Sequence, residues 1–139
     1  MSPWPRRAVL AMCFIASAML AGCKENEEAQ RMARLAGQYE STRDQTLLGE
    51  RHQERHVLKL TETGYWVRTG GTQIGDRPVK VTRDSGQYRV HGDTMLILMS
   101  QLQEKPFPMR YRLNADTIWG YNFAALGLNK ESVFIRQTP

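Results

Sequence analysis

The sequence sets two histidines four residues apart around a carboxylate, in His52-Gln53-Glu54-Arg55-His56. On a helix that spacing brings both imidazoles to one face, as a zinc site requires. A zinc-protease helix also needs a glutamate directly after the first histidine, where this chain has Gln53. Glu50, Arg51 and Arg55 crowd the same stretch, so it reads as a charged surface loop entering a strand. His91 stands alone at the end of an alternating run. The serines beyond residue 23 (Ser41, Ser85, Ser100 and Ser132) have no local histidine–acid pattern, and no Gly-x-Ser-x-Gly elbow occurs. Gly70-Gly71-Thr72-Gln73-Ile74-Gly75 is rich in glycine, but no Gly-Lys-Ser/Thr follows, and a hairpin loop accounts for it. The expectation is a protein that is not an enzyme, with no catalytic residue, no metal and no cofactor.

Both cysteines, Cys13 and Cys23, lie near the start of the chain, so no disulfide framework can staple the remainder. Arg6 and Arg7 precede an uncharged stretch from Ala8 to Ala21. As a helix that stretch spans about 21 Å, short of a bilayer's hydrocarbon core of roughly 30 Å. A basic start, a short apolar run and small residues at its end make a secretory signal. Its end, Leu20-Ala21-Gly22-Cys23, resembles the lipobox of bacterial lipoproteins. The resemblance implies a signal peptide over 1–22, cleavage before Cys23, and lipidation of Cys23 by diacylglyceryl and N-acyl (palmitate-type) chains. It also implies a place in the bacterial envelope. Lys24 resembles the outer-membrane class, facing the periplasm. Losing Arg6 and Arg7 but no acid takes the net charge from +5 to +3.

These residues need a scaffold, and the pattern along the chain supplies one. Residues 24–35 contain no proline, glycine or β-branched residue. Glu25, Glu27 and Glu28 precede Arg31 and Arg34, the polarity that a helix dipole favours. A partly helical tether over 23–36 follows, ending before Gly37. Beyond it the period changes to two. Candidate strands lie near 38–43, 57–61, 65–69, 79–82, 87–91, 95–99, 109–113, 117–121 and 132–136, with Asp84-Ser85-Gly86 read as a turn. Short turns between neighbours predict a small antiparallel meander barrel over 37–139, an all-β domain. Leu58, Leu60, Tyr88, Val90, Tyr111, Leu113, Val133 and Ile135 are expected inside. Met95-Leu96-Ile97-Leu98-Met99 is apolar on both faces, so its outer side needs cover from the tether helix, from the Phe123-to-Leu128 segment or from a partner.

The domain resembles the small lipocalin-like barrels of envelope lipoproteins. Gly37-Gln38-Tyr39 after a short helix is similar to the lipocalin Gly-x-Trp opening, with tyrosine for tryptophan. Arg136 is similar to the last-strand arginine that packs over that aromatic at the closed end. The resemblance implies a meander barrel that binds without catalysis. The Gly-x-Tyr start also resembles the half-barrel of copper-resistance lipoproteins, whose Cys-x-x-Cys pair this chain lacks. Ser85-Gly86-Gln87-Tyr88 resembles a loop of periplasmic lysozyme inhibitors.

The middle of the chain is basic, with Arg77, Lys80, Arg83, Arg89, Lys105, Arg110 and Arg112. Arg110 and Arg112 alternate with Met109, Tyr111 and Leu113, which points them outward. Phe107 lies between two prolines that stiffen its loop, and it reads either as an exposed anchor or as a ring folded back to plug the barrel end. Phe107, Arg110 and Arg112 are therefore the expected patch for an envelope protein partner. The functional expectation is a lipid-anchored periplasmic binding or scaffold module. The alternative is an inhibitor or immunity lipoprotein that blocks an envelope-targeting enzyme. Nucleic acid is not an expected partner in that compartment.

Overall fold

The computed structural model describes residues 22–101, 104–123 and 129–139. A helix, α1, covers residues 22–35. Eight strands follow: β1 (Gly37–Leu47), β2 (Glu50–Leu60), β3 (Tyr65–Ile74), β4 (Lys80–His91), β5 (Met95–Ser100), β6 (Phe107–Asn114), β7 (Thr117–Phe123) and β8 (Asn129–Arg136). Each strand pairs antiparallel with the next, and β1 pairs with β8, so the sheet closes into a barrel. The all-β meander barrel behind a short helix is therefore the fold of this chain. No helix among the described residues is long and apolar enough to cross a membrane.

The period-two pattern sorts the side chains. Tyr39, Leu58, Leu60, Trp66, Tyr88, Val90, Leu96, Leu98, Met109, Tyr111, Ile118 and Phe134 form the buried core. Full burial of one such side chain contributes roughly 1.5–3 kcal/mol. Met32 and Leu35 of α1 pack against the same core, so helix and barrel are one folded unit. On β8 the expected inward residues are corrected. Phe134 is buried and Ser132 nearly so, whereas Ile135 is 56% exposed and Val133 half-buried. The run Val133-Phe134-Ile135 is apolar on both faces, so alternation alone does not choose a side. The larger ring goes inside, opposite Ile118.

Three further stretches differ from the sequence reading, among them Gly70-Gly71-Thr72-Gln73-Ile74, which is strand within β3 and not a hairpin loop. His52–His56 lies within β2, paired on both sides, and is not a loop. Asp84-Ser85-Gly86 is continuous strand within β4, not a turn. Gly86 is there for space: a Cβ would meet the Met99 carbonyl and crowd the Trp66 indole. The indole instead donates to the Met99 carbonyl at 3.2 Å.

One end of the barrel is closed. The Arg136 guanidinium lies 5.1 Å from the Tyr39 ring centroid. It donates to the Tyr39 hydroxyl at 2.7 Å and to the Arg34 carbonyl of α1 at 2.5 Å. The Tyr39 hydroxyl in turn donates to the Leu35 carbonyl at 2.8 Å. Asp116 sits 3.3 Å from Arg136 Nε. Burial raises the Tyr39 hydroxyl above its ordinary pKa, against the opposing pull of Arg136. The arginine expected over Tyr39 is in place, and it ties the last strand to the helix.

Candidate functional site

The barrel interior changes character along its axis. Above the apolar core lies a polar layer. Asp84 is 7% exposed, and its carboxylate accepts from Ser100 Oγ at 2.9 Å and from the Ser85 amide at 2.8 Å. Arg68 Nη2 is 3.9 Å from Asp84, and Arg68 Nη1 donates to the Tyr111 hydroxyl at 3.4 Å. Burying a carboxylate is costly unless hydrogen bonds and a nearby cation compensate, and these partners supply both. Burial raises the Tyr111 hydroxyl pKa. The sequence reading missed this network, although an aspartate with inward parity on an alternating strand was a usable signal.

His52, Glu54 and His56 all face inward, because residues two apart share a face of a strand. Four residues of strand separate the two imidazoles by about 13 Å, which rules out a shared ion. Among the described residues no group of three or more His, Cys, Asp or Glu side chains is arranged to hold a metal. His56 is half-buried against Gly70, and its Nδ1 is buried without a hydrogen-bond partner. Burial, then the nearby Arg68 charge, lowers its pKa below the usual histidine value, so the ring is neutral at pH 7. Arg43 and Glu54, 4.0 Å apart, line the mouth above it.

Among the described residues, the end opposite the helix is open. Among the described residues β1 meets β8 only at Tyr39 and Glu40, and β4 meets β5 only over Tyr88–His91. Strands β1–β4 therefore run on as a four-stranded lip, with β1 reaching about 20 Å past Glu40. Its outer face holds a groove of about 710 Å³. Val57, Val79 and Val81 supply apolar surface, Thr42, Thr69, Gln53 and Gln73 supply hydrogen-bonding groups, and Gly71 leaves space. Arginines beside the groove are neutralised locally: Arg55 lies on Glu40 at 2.7 Å, Arg51 on Asp44 and Arg77 on Glu50 at 3.0 Å. Hydrogen bonds from Arg55 and Arg51 hold the Glu40 and Asp44 carboxyls below the ordinary range. At the lip's tip Leu48 and Gly49 make a two-residue turn with φ of 51° and 81°. Leu48 is fully exposed there, beside a 39% exposed Leu47.

The three residues expected to form one patch are divided. Phe107 has the inward parity of Met109 and Tyr111 and packs half-buried against the core. Arg110 and Arg112 are exposed on the outer face. Lys105 is exposed in the loop before β6. Residue pairing places Ile97 between Arg89 and Arg110, and Met95 between His91 and Arg112. The Arg112 guanidinium lies 5.9 Å over the Trp119 ring. Cys23 is exposed on the first turn of α1, with a free thiol.

No protein-family model matches this chain, and no curated protein is similar to it.

Proposed function

We propose that this protein is a lipid-anchored lipoprotein of a bacterial envelope, held by acylated Cys23 at the periplasmic side of the outer membrane. In this reading it is a binding or scaffold module without catalysis, with the lipocalin-like barrel as its working domain. The observation that carries the reading is the contrast between the barrel's ends. The closed end is clamped to the helix that bears Cys23 through Arg136, Tyr39 and Leu35. The other end, away from that helix, carries the lip, its groove and an apolar tip. Such a placement offers an envelope protein the end remote from the anchor. The side-chain-filled core agrees with a partner met on the outside.

The test has two arms. Labelled palmitate marks the wild type and not Cys23→Ser. Photo-crosslinking residues placed at Val81 and at Gln38 then compare the ends in intact cells. A discrete adduct from Val81 and none from Gln38 supports the reading. Adducts only from Gln38, or label retained by Cys23→Ser, overturn it.

One observation favours the second reading, an inhibitor or immunity lipoprotein. A fully exposed leucine at the tip of a long hairpin has the shape of a plug for a cleft in an enzyme. In that case the Val81 adduct is an enzyme whose activity the purified protein lowers.

A further inference from the structure

The outer wall over β4, β5 and β6 differs in charge from the wall over β1 and β2. On β1 and β2, Arg51 and Arg55 each face a carboxylate. The outward residues of β4 are Val81, Arg83, Ser85, Gln87, Arg89 and His91, and those of β6 are Pro108, Arg110, Arg112 and Asn114. Neither set contains an acid. Arg89 and Arg110 make no ion pair among the described residues. Between them runs the outer face of β5, Met95, Ile97 and Met99, each only half-buried. Trp119 completes the face beyond Arg112. Of the two occupants inside the chain that could have covered β5, α1 packs at the closed end, and residues 124–128 of the Phe123-to-Leu128 segment lie outside the described residues.

The face starts beside the helix. Arg31 of α1 lies 3.3 Å from Asp93 in the β4–β5 turn, directly below Met95 and His91. Cys23 is eight residues earlier, about 12 Å along the helix. Arg89 and Arg110 without an ion pair among the described residues, flexible apolar side chains and a tryptophan on adjacent strands have the composition of an interfacial membrane surface.

We propose that the outer face of β4–β6, through Arg89, Ile97, Arg110, Arg112 and Trp119, docks on the anionic headgroup layer of a lipid leaflet. The leaflet is the one that receives the Cys23 anchor, so this orientation rests on the lipoprotein reading, while the affinity for anionic lipid does not. Docking lays the barrel on its side wall and leaves the lip free. The charges act at short range and are screened by salt. The apolar stripe and Trp119 enter the interface itself.

The experiment uses residues 23–139 with Cys23→Ser, the chain left by the signal cleavage the reading implies, which keeps the packing of α1 on the barrel and removes the acyl site. Sedimentation with vesicles of phosphatidylethanolamine containing a third phosphatidylglycerol is compared with vesicles of phosphatidylcholine alone. Binding to the anionic vesicles is expected, falling steeply with salt, and little to the neutral ones. Trp66 is fully buried, so a blue shift of tryptophan emission on binding reports Trp119. Arg89→Gln with Arg110→Gln is expected to lower the partition coefficient about 25-fold, near fivefold per arginine. Arg55→Gln, on the opposite wall, leaves it within about twofold. Ile97→Ser is expected to lower the partition coefficient as well; should that variant unfold the barrel, the arginine pair alone decides. Equal losses from Arg55→Gln overturn the proposal, because net charge then explains the binding. Vesicle indifference together with salt-sensitive binding of polyglutamate also overturns it, in favour of an acidic protein. Failure here leaves the open-end crosslinks of the proposed function untouched, and failure there leaves vesicle binding untouched.

Discussion

The imidazole of His56 occupies the space where Gly70, its partner across the β2–β3 ladder, would carry a Cβ. The Tyr111 ring covers Gly120 of β7 in the same way, while Gly86 of β4 makes room for the Met99 carbonyl with the indole of its partner Trp66 beside it. Three inward glycines thus leave space for two rings and a carbonyl in a barrel too narrow for a side chain at every inward position. The expected outcome is that Gly120→Ala and Gly70→Ala destabilise the fold by about 1–3 kcal/mol or more through overpacking. Tyr111→Ala, the complementary truncation, costs about 3–5 kcal/mol. Thermal melts check this, at about 4–8 °C per kcal/mol for a domain of this size. Unchanged melting of Gly120→Ala would mean that the Tyr111 ring has another place to go.

The buried His56 gives stability a pH dependence of definite sign. Its pKa is lowered in the folded state, mainly by burial and then by Arg68. The unfolded chain therefore takes the proton first. Stability is fully present above about pH 6.5 and is lost as pH falls toward the lowered folded value, by at most about 1.4 kcal/mol per pH unit. Glu40 and Asp44 act in the same direction, but only nearer pH 4, where their ordinary values lie. Urea melts at pH 7.5 and 5.5 isolate the histidine. The wild type is expected to lose stability between them, and His56→Phe, which keeps a ring over Gly70, is expected to lose markedly less. An identical pH slope in the two proteins would count against His56.

The barrel was legible in the chain because alternation survives wherever one face is polar. Leu58-Lys59-Leu60 and Met109-Arg110-Tyr111-Arg112 read directly, and both arginines face out. Alternation fails where both faces are apolar, and β8 was consequently read one residue out of phase. It fails again where the interior is polar. Glu54 and His56 face inward at the mouth, so their strand looked like a solvated loop. Glycine misled twice. Gly86 and Gly70-Gly71 carry turn composition but serve close approach inside strands. The clamp of Arg136 on Tyr39 was visible through two residues almost a hundred positions apart, because the resemblance named both. The groove over Val57, Val79 and Val81 was not, because it exists only once four strands outrun the other four.

Arg136 holds the helix to the barrel, and that role can be separated from its charge. Its guanidinium meets the Tyr39 ring, the Tyr39 hydroxyl and the Arg34 and Ala36 carbonyls together. Lysine keeps the charge but cannot fan to all of these. Arg136→Lys is expected to cost about 1.5–3 kcal/mol, the range for hydrogen bonds to charged groups. Hydrogen exchange should speed up selectively in residues 31–36 and at Tyr39. Uniform acceleration across all strands would show instead that Arg136 supports the whole barrel and not the joint.

Leu48 is a residue the fold would replace. A two-residue hairpin with positive φ at both positions favours Asn-Gly or Asp-Gly, because asparagine and aspartate tolerate the left-handed region. This chain has Leu48-Gly49, with φ of 51° at the leucine and no burial in return. Under the proposed function, this strained, fully exposed leucine is the tip that meets the partner. Leu48→Asn is therefore expected to stabilise the barrel by about 1 kcal/mol, raising the melting temperature by at least about 4 °C. The same change should weaken the open-end interaction, read as loss of the crosslink from Val81 at equal protein level. Leu48→Gly separates the two effects, since it relieves the strain and removes the side chain while leaving the turn free. It should lose the crosslink as well, without the gain in stability that asparagine brings. A crosslink that survives both substitutions would leave the groove as the contact and remove the tip from it. Destabilisation by Leu48→Asn would place the leucine in the fold's own service.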